Sequence, residues 1–381
     1  MAMGHDPLLN ELDEARLAPL VARALGRERV ALGAWRWAPL ATDLYHAERT
    51  LARCTGTARA GGELVPWSLV LKIVRPPPGA GDDGWDREAC AYRSGLLADL
   101  PGGLAAPRCL AVDTGADGSA WLWLEDVADR FGGRWPLAQY GRAARHLGQF
   151  NGAYLAGRQL PTDPWLVRQW TTRHSEPAKM PAAVAELATL MDDPRARQAF
   201  PAPLLAAMPR LLHDEPRFVD LLARLPQTLC HHDAARANLL ARRAGRALET
   251  VALDWESLGP GTVGADLASL VCGTIRRGDF PARRAAALDR AAYAGYSHGL
   301  RDAGWAGDPD LVRLGYAAAV ALRWFLLPDT LRVLTGGARA FRGRARESEA
   351  RATHEFVLLS RFVLERAAEA RELARRHGLL S

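Results

Sequence analysis

Residues 14–25 repeat apolar side chains at helical spacing and stop at Gly26, and beyond that glycine the period changes. Three strand-like runs follow, Val30 to Trp37, Thr50 to Arg59 and Pro66 to Val74, with Gly61-Gly62 as a turn between the last two. Pro76-Pro77-Pro78 and the stretch Gly79 to Gly84 break this pattern. A helix is predicted over Trp85 to Leu97, closed by Asp99-Leu100-Pro101-Gly102-Gly103, and two further strands over Arg108–Val112 and Ala120–Leu124. Beyond residue 137 the spacing is mostly helical, interrupted by a hairpin over 229–255. The order predicts an α+β chain of two unequal lobes. Residues 1–124 would form a small five-stranded antiparallel lobe with one main helix, preceded by the N-terminal helix. Residues 125–381 would form a larger, mostly helical lobe, with the linker near Glu125.

Composition narrows the class. At 381 residues, with 49% hydrophobic and 24% charged residues, the chain has the make-up of an ordinary globular protein with a large core. No apolar run reaches the ~18 residues of a membrane span, and the N-terminus lacks the basic and apolar segments of a signal peptide. Five scattered cysteines, Cys54, Cys90, Cys109, Cys230 and Cys272, argue against a disulfide framework and suit a reducing cytoplasm. Only Lys72 and Lys179 are lysines among 49 basic residues, and residues 271–381 hold 19 arginines against 12 carboxylates. That imbalance suits a basic solvated surface, or an anionic or neutral partner rather than a polycationic one. No compact basic cluster interleaved with aromatics points to nucleic acid. The histidines make no metal-binding pair at helical spacing and no Gly-x-Ser-x-Gly elbow occurs, which argues against zinc and common hydrolase chemistry.

Candidate chemistry concentrates in Cys230-His231-His232-Asp233-Ala234-Ala235-Arg236-Ala237-Asn238 and in Val251-Ala252-Leu253-Asp254-Trp255-Glu256. Phosphoryl transfer from ATP needs a carboxylate to take the hydroxyl proton, and an amide oxygen with a second carboxylate to hold Mg²⁺. Asp233 fits the base, Asn238 and Asp254 fit the metal ligands, and His231 fits a residue that braces the loop. Asp254 ends a buried-looking strand, where a carboxylate is costly unless a cation meets it. Arg236 would meet phosphate, a substrate anion or solvent. Asp266, past a glycine-rich bend, would orient the loop as a structural group.

Upstream, Ser68-Leu69-Val70-Leu71-Lys72-Ile73-Val74 sets a lysine mid-strand on the face of Val70 and Val74, where it would hold the α- and β-phosphates. Glu88, sixteen residues on, is its expected ion-pair partner, with Asp86 as the alternative.

The motif His-x-Asp-x-x-x-x-Asn, the apolar strand ending in Asp-Trp-Glu, and Gly-x-x-x-x-Asp-Leu-Ala (Gly261 to Ala268) resemble the aminoglycoside phosphotransferase and choline kinase-like group, over roughly residues 30 to 330. The resemblance implies a protein-kinase-like bilobal fold, ATP and Mg²⁺ as cofactors, and an acceptor hydroxyl on a small molecule. A second acceptor class it allows is a Ser/Thr side chain of a natural-product precursor peptide; a catalytically silent nucleotide-binding scaffold is the rival from another class. It also implies that Trp121 to Val127 is the hinge, with the backbone of Glu125 and Val127 on adenine. The phosphate-covering loop would be Ala38 to His46, which has no glycine and must rely on Thr42 and a few amides. His232 is a departure, since the group usually has Gly there, and its side chain would lie beside the transferring phosphoryl. Tyr293, Tyr296, His298, Arg323 and Trp324 stand as unranked acceptor candidates, and the segment from Pro161 to Pro216, with Trp165 and Trp170, as pocket-building or as connector.

Overall fold

The computed structural model describes residues 7–40, 49–77, 84–168, 185, 187–189, 191–323 and 349–380. The chain divides into two compact units, Met1–Asp99 with Ala105–Ala128, and Leu100–Leu104 with Asp129–Ser381.

In the first unit, helix α1 (Glu14–Leu25) starts where the Asp13 carboxylate accepts from Arg16 N at 2.8 Å. It stops where Gly26 takes φ 64 and Arg27 N donates to Ala22 O. Five strands follow: β1 (Ala31–Pro39), β2 (Arg49–Ala60), β3 (Glu63–Val74), and, beyond the short β4 (Leu104–Ala105), β5 (Cys109–Thr114) and β6 (Ala120–Glu125). They form one antiparallel sheet in the order β1-β2-β3-β6-β5. Gly61 and Gly62, at φ 58 and 90, make the two-residue turn between β2 and β3, a conformation that suits glycine at both positions.

Alternation gives the sheet two apolar faces. Leu69, Leu71 and Ile73 point with Trp121 and Trp123 into the core beneath α1, so those tryptophans are packing residues. Val70 and Val74 point the other way with Leu122 and Leu124, toward Ala89 of helix α2 (Arg87–Arg93). This helix is shorter than the predicted 85–97. Ser94 Oγ turns back onto Ala91 O at 2.8 Å and Gly95 adopts φ 78, so the chain leaves the helix and makes only a 3₁₀ turn over Leu96–Ala98.

Helices dominate the second unit: α3 (Leu137–Leu155), α4 (Pro194–Ala199), α5 (Ala202–His213), α6 (Glu215–Arg224), α7 (Ala265–Ala268), α8 (Thr274–Arg276), α9 (Ala285–Asp302), α10 (Pro309–Ala321) and α11 (Glu349–Arg376). Between α6 and α7 run β7 (Gln227–Cys230), β8 (Leu239–Ala244), β9 (Ala247–Ala252) and β10 (Gly259–Thr262). β7 pairs with β10, and β8 and β9 form a hairpin in the sheet β4-β9-β8. Helices α3 and α9 meet backbone to backbone. A Cβ on Gly295 would stand 2.0 Å from Gly141 O, and one on Gly299 2.0 Å from Arg145 O. The small residues therefore set the helix separation. At the outer side Arg313 binds Asp289 and Glu369, and Arg366 binds the same two carboxylates, tying α9, α10 and α11 together.

A small antiparallel sheet lobe and a larger helical lobe make this the bilobal α+β architecture of the protein-kinase-like fold. No helix of the described residues is long and apolar enough to cross a membrane.

Candidate active site

Lys72 sits mid-strand in β3, opposite Leu51 of β2 and Leu122 of β6. It is 7% exposed and its ammonium is ion-paired with Glu88 of α2, itself 3% exposed. Strand alternation fixes the face, and Ala89 against that face brings α2 close enough for Glu88 to reach. Glu125 ends β6, donates its N–H to Arg108 O at 2.9 Å and accepts Arg108 N on Oε2 at 3.1 Å. Asp126 takes Arg53 and Ser68, so the segment leading to half-buried Val127 is anchored on the sheet. Thr42 lies outside the described residues, as do Trp170 and Trp324.

In the second unit the loop 231–238 leaves β7 and enters β8. Its anchor is Asp266 of α7, fully buried, which accepts His231 N at 3.1 Å and His232 N at 2.7 Å. Asn151 of α3 donates to the same carboxylate at 3.1 Å and to Leu229 O at 2.6 Å. Tyr296 of α9 donates to Asn151 Oδ1 at 2.7 Å and accepts Gly264 N at 3.0 Å. The glycine contact between α3 and α9 thus sets the positions of two side chains that hold Asp266, and Asp266 holds the loop. Tyr296 is a buried brace here rather than an acceptor contact.

His231 lies against Trp255 at 4.5 Å between ring centroids. Its Nε2 meets Leu253 O at 2.9 Å and its Nδ1 meets Asp233 N at 3.2 Å. Leu253 also donates its N–H to Asn238 O at 2.8 Å. Both ends of the loop are therefore fastened to one residue, and the next residue is Asp254. Asn238 Nδ2 donates to Asp233 Oδ2 and to Asp233 O, each at 2.9 Å. With the amide nitrogen turned to Asp233, the amide oxygen is the atom oriented for a cation.

Burial raises the Asp233 carboxyl above its ordinary value, and the nearby Asp254 carboxylate raises it further; His231, Arg277 and Arg323 oppose them. Two carboxylates close enough to disfavour each other's charge, beside an amide oxygen, form a donor set that fits a divalent cation.

His232 and Asp254 are the non-glycine residues at positive φ, 66 and 61, among the described residues. That backbone costs an L-residue about 1–2 kcal/mol, and such strain gathers at functional positions. The φ of 66 explains the expected glycine at position 232. The expectation that the His232 side chain lies beside the phosphoryl gives way to a buried ring that meets Pro260 O at 3.2 Å. That ring fills the space a Cβ on Gly261 would take, 2.5 Å from it. Burial lowers its pKa to about 4. Cys230, His232 and Asp266 form a buried group of possible metal ligands that the spacing did not suggest. Asp266 is committed to loop amides, and burial raises the Cys230 thiol well above its ordinary value.

Arg236 is a correction of the phosphate-meeting expectation. Its guanidinium is buried, paired with Asp129, bonded to Gly132 O and Leu239 O, and stacked on Trp135 at 4.3 Å. Asp129 also accepts Ala241 N at 3.0 Å, so Arg236 secures the start of β8. Tyr293 donates to Pro309 O and His298 is exposed, while Arg323 acts electrostatically on Asp233. Sequence reasoning missed Asn151, Asp129 and Arg277. A buried asparagine between Phe150 and Gly152 on an apolar helix face was the available signal for the first.

The phosphotransferase enzyme family (APH) matches residues 59–307. No curated protein sequence matches the chain. Among solved structures, it is similar to the amicoumacin kinase hAmiN in complex with AMP-PNP, Ca²⁺ and Ami, at 14% identity and TM-score 0.51, covering 96% of this chain and 97% of that one. It is similar also to a microcompartment-associated aminopropanol kinase, at 15% identity and TM-score 0.50, covering 89% and 94%. These likenesses are ones of fold.

Proposed function

The chain belongs to the phosphotransferase enzyme family, and from that premise we propose that it is an ATP- and Mg²⁺-dependent O-phosphotransferase acting on a hydroxyl of a small-molecule acceptor. Asp233 takes the hydroxyl proton as the acceptor oxygen attacks the γ-phosphorus and ADP leaves. Asn238 through its amide oxygen and Asp254 through its carboxylate hold Mg²⁺, which when bound offsets the phosphate charge. Lys72, fixed by Glu88, holds the α- and β-phosphates, and the backbone at Glu125 and Val127 meets adenine.

The observation that supports this reading is the set of hydrogen bonds that ties Asp233, Asn238 and the residue before Asp254 together. Asn238 holds Asp233, and Leu253 holds both His231 and Asn238 immediately before Asp254. His231 and Arg236 support that loop from opposite ends.

Thermal unfolding with nucleotide tests it. ATP with Mg²⁺ is expected to raise the Tm of the wild type by mass action. Lys72→Ala is expected to lose most of the shift, and Asp254→Ala only its Mg²⁺-dependent part. A wild type indifferent to millimolar ATP and Mg²⁺ would contradict the proposal.

A further inference from the structure

The end of α11 carries a second constellation of charges, none of it shared with the candidate active site. Arg371 and Arg375 stand four residues apart and so share one face of that helix. Gly378, at φ 65, turns the chain back, with Leu379 N on Ala374 O at 2.8 Å. Arg224 of α6 donates to Leu379 O and holds the returning segment against α6. Leu380 thereby closes a cavity of about 60 Å³ with Arg210 of α5, Asp214 between α5 and α6, Arg217 and Phe218 of α6, and Arg371 and Arg375. A water needs about 10–15 Å³ on this measure, so the space suits several waters or one phosphate group.

Charge does not balance there. Four guanidiniums line the cavity against one carboxylate, that of Asp214, and Glu215 next to it is not part of the lining. Asp214 is buried and shared. Its Oδ2 accepts Arg371 Nε at 2.7 Å, its Oδ1 accepts Arg217 Nη1 at 3.3 Å, and Arg210 Nε lies 3.7 Å away. Glu372, outside the cavity, pairs with Arg375 at 2.7 Å. With both carboxylates set against the four arginines, the cluster keeps two positive charges.

The arginines differ in their roles. Arg371 is 14% exposed and lies over the Phe218 ring at 5.6 Å, which with the Asp214 bond fixes its guanidinium. Its Nη2 is enclosed with no hydrogen-bond partner among the described residues, and a buried donor in that state calls for a water or an ion. Arg210, Arg217 and Arg375 are 67%, 64% and 55% exposed and form a rim open to solvent. A carboxylate entering there would leave one charge unmatched. A phosphate dianion matches both, and guanidiniums from three helices offer its oxygens paired N–H groups.

We propose that this cavity binds the dianionic phosphate group of a phosphomonoester or of inorganic phosphate, and that the bound anion ties α5 and α6 to α11. The site is independent of the phosphotransferase reading.

Equilibrium dialysis of the full chain against radiolabelled inorganic phosphate at fixed ionic strength tests it. One saturable site is expected in the wild type. Arg217→Gln and Arg375→Gln, at exposed positions, are each expected to keep the phosphate-free Tm and to weaken binding about tenfold, and Arg375→Lys to recover part. Glycerol 3-phosphate is expected to displace the label, and acetate at the same concentration to leave it bound. Vesicles of phosphatidylcholine with and without phosphatidic acid separate two sources of the group. Sedimentation of the wild type only with phosphatidic acid, lost in Arg217→Gln, assigns it to a lipid headgroup; displacement by glycerol 3-phosphate without sedimentation assigns it to a soluble molecule. Binding that is unchanged in both glutamine variants, displaced equally by acetate, or never saturable would overturn the inference.

Discussion

The sheet lobe holds a buried charged group, Lys72, and the helical lobe a half-buried one, Asp233, and they hold them by different means. Lys72 is paired with Glu88 of a neighbouring element, on a face that strand alternation dictates. Asp233 is fixed indirectly. Its loop hangs from Asp266, which depends on Asn151, which depends on Tyr296, across a contact between α3 and α9 that glycines permit. A pair can be replaced as a unit, whereas a network of backbone donors cannot.

Breaking the network is expected to have the largest effect. Asp266→Ala strands His231 N, His232 N and one of the two N–H groups of the Asn151 amide, the other keeping Leu229 O, at about 1–3 kcal/mol for each lost partner. Chemical denaturation is expected to show a loss of at least ~3 kcal/mol. No single second substitution restores it, because two of the three donors are main chain. A stable Asp266→Ala protein with an unchanged denaturation midpoint would mean that the loop is held by something else.

The pair behaves otherwise. Lys72→Met removes the ammonium paired with buried Glu88, at about 3–5 kcal/mol. Adding Glu88→Leu is expected to return much of that loss while nucleotide-induced stabilisation stays absent. A double variant no more stable than Lys72→Met would erase the contrast between the two lobes.

These two regions also differ in how far they could be read from residues alone. Period and turn chemistry carry α1, the β2–β3 turn, the face of Lys72 and its partner Glu88, since each is a local relation. The helix predicted over 85–97 was too long because Ser94 and Gly95 end it through a side-chain bond and a left-handed backbone that spacing does not register. Around Asp233 the motif spacing proposes the chemistry, but not the support. Arg236 finds Asp129 and Asn151 finds Asp266 across more than a hundred residues of chain. Nothing local marks such partners, and nothing local shows that His232 turns its ring onto Gly261.

A smaller effect comes with pH. Burial lowers His146, which bonds Thr250 Oγ1, and His232 to about 4 from an ordinary 6.5. The unfolded chain takes up these protons near pH 6.5, whereas the folded chain refuses them until about pH 4. Their contribution to stability is therefore complete above pH 6.5 and is lost as pH falls toward 4. His146→Gln is expected to flatten that acid limb in Tm measured against pH. An unchanged slope would show that His146 is protonated without penalty.

Mg²⁺-dependent ADP formation by wild type and Asp233→Asn, with the Tm of both, tests the central claim most directly. The account predicts a fall of about 10²–10⁴-fold in the variant with folding and nucleotide-induced stabilisation preserved. A variant that folds, binds Mg·ATP and turns over like wild type would contradict the assignment of Asp233 as base.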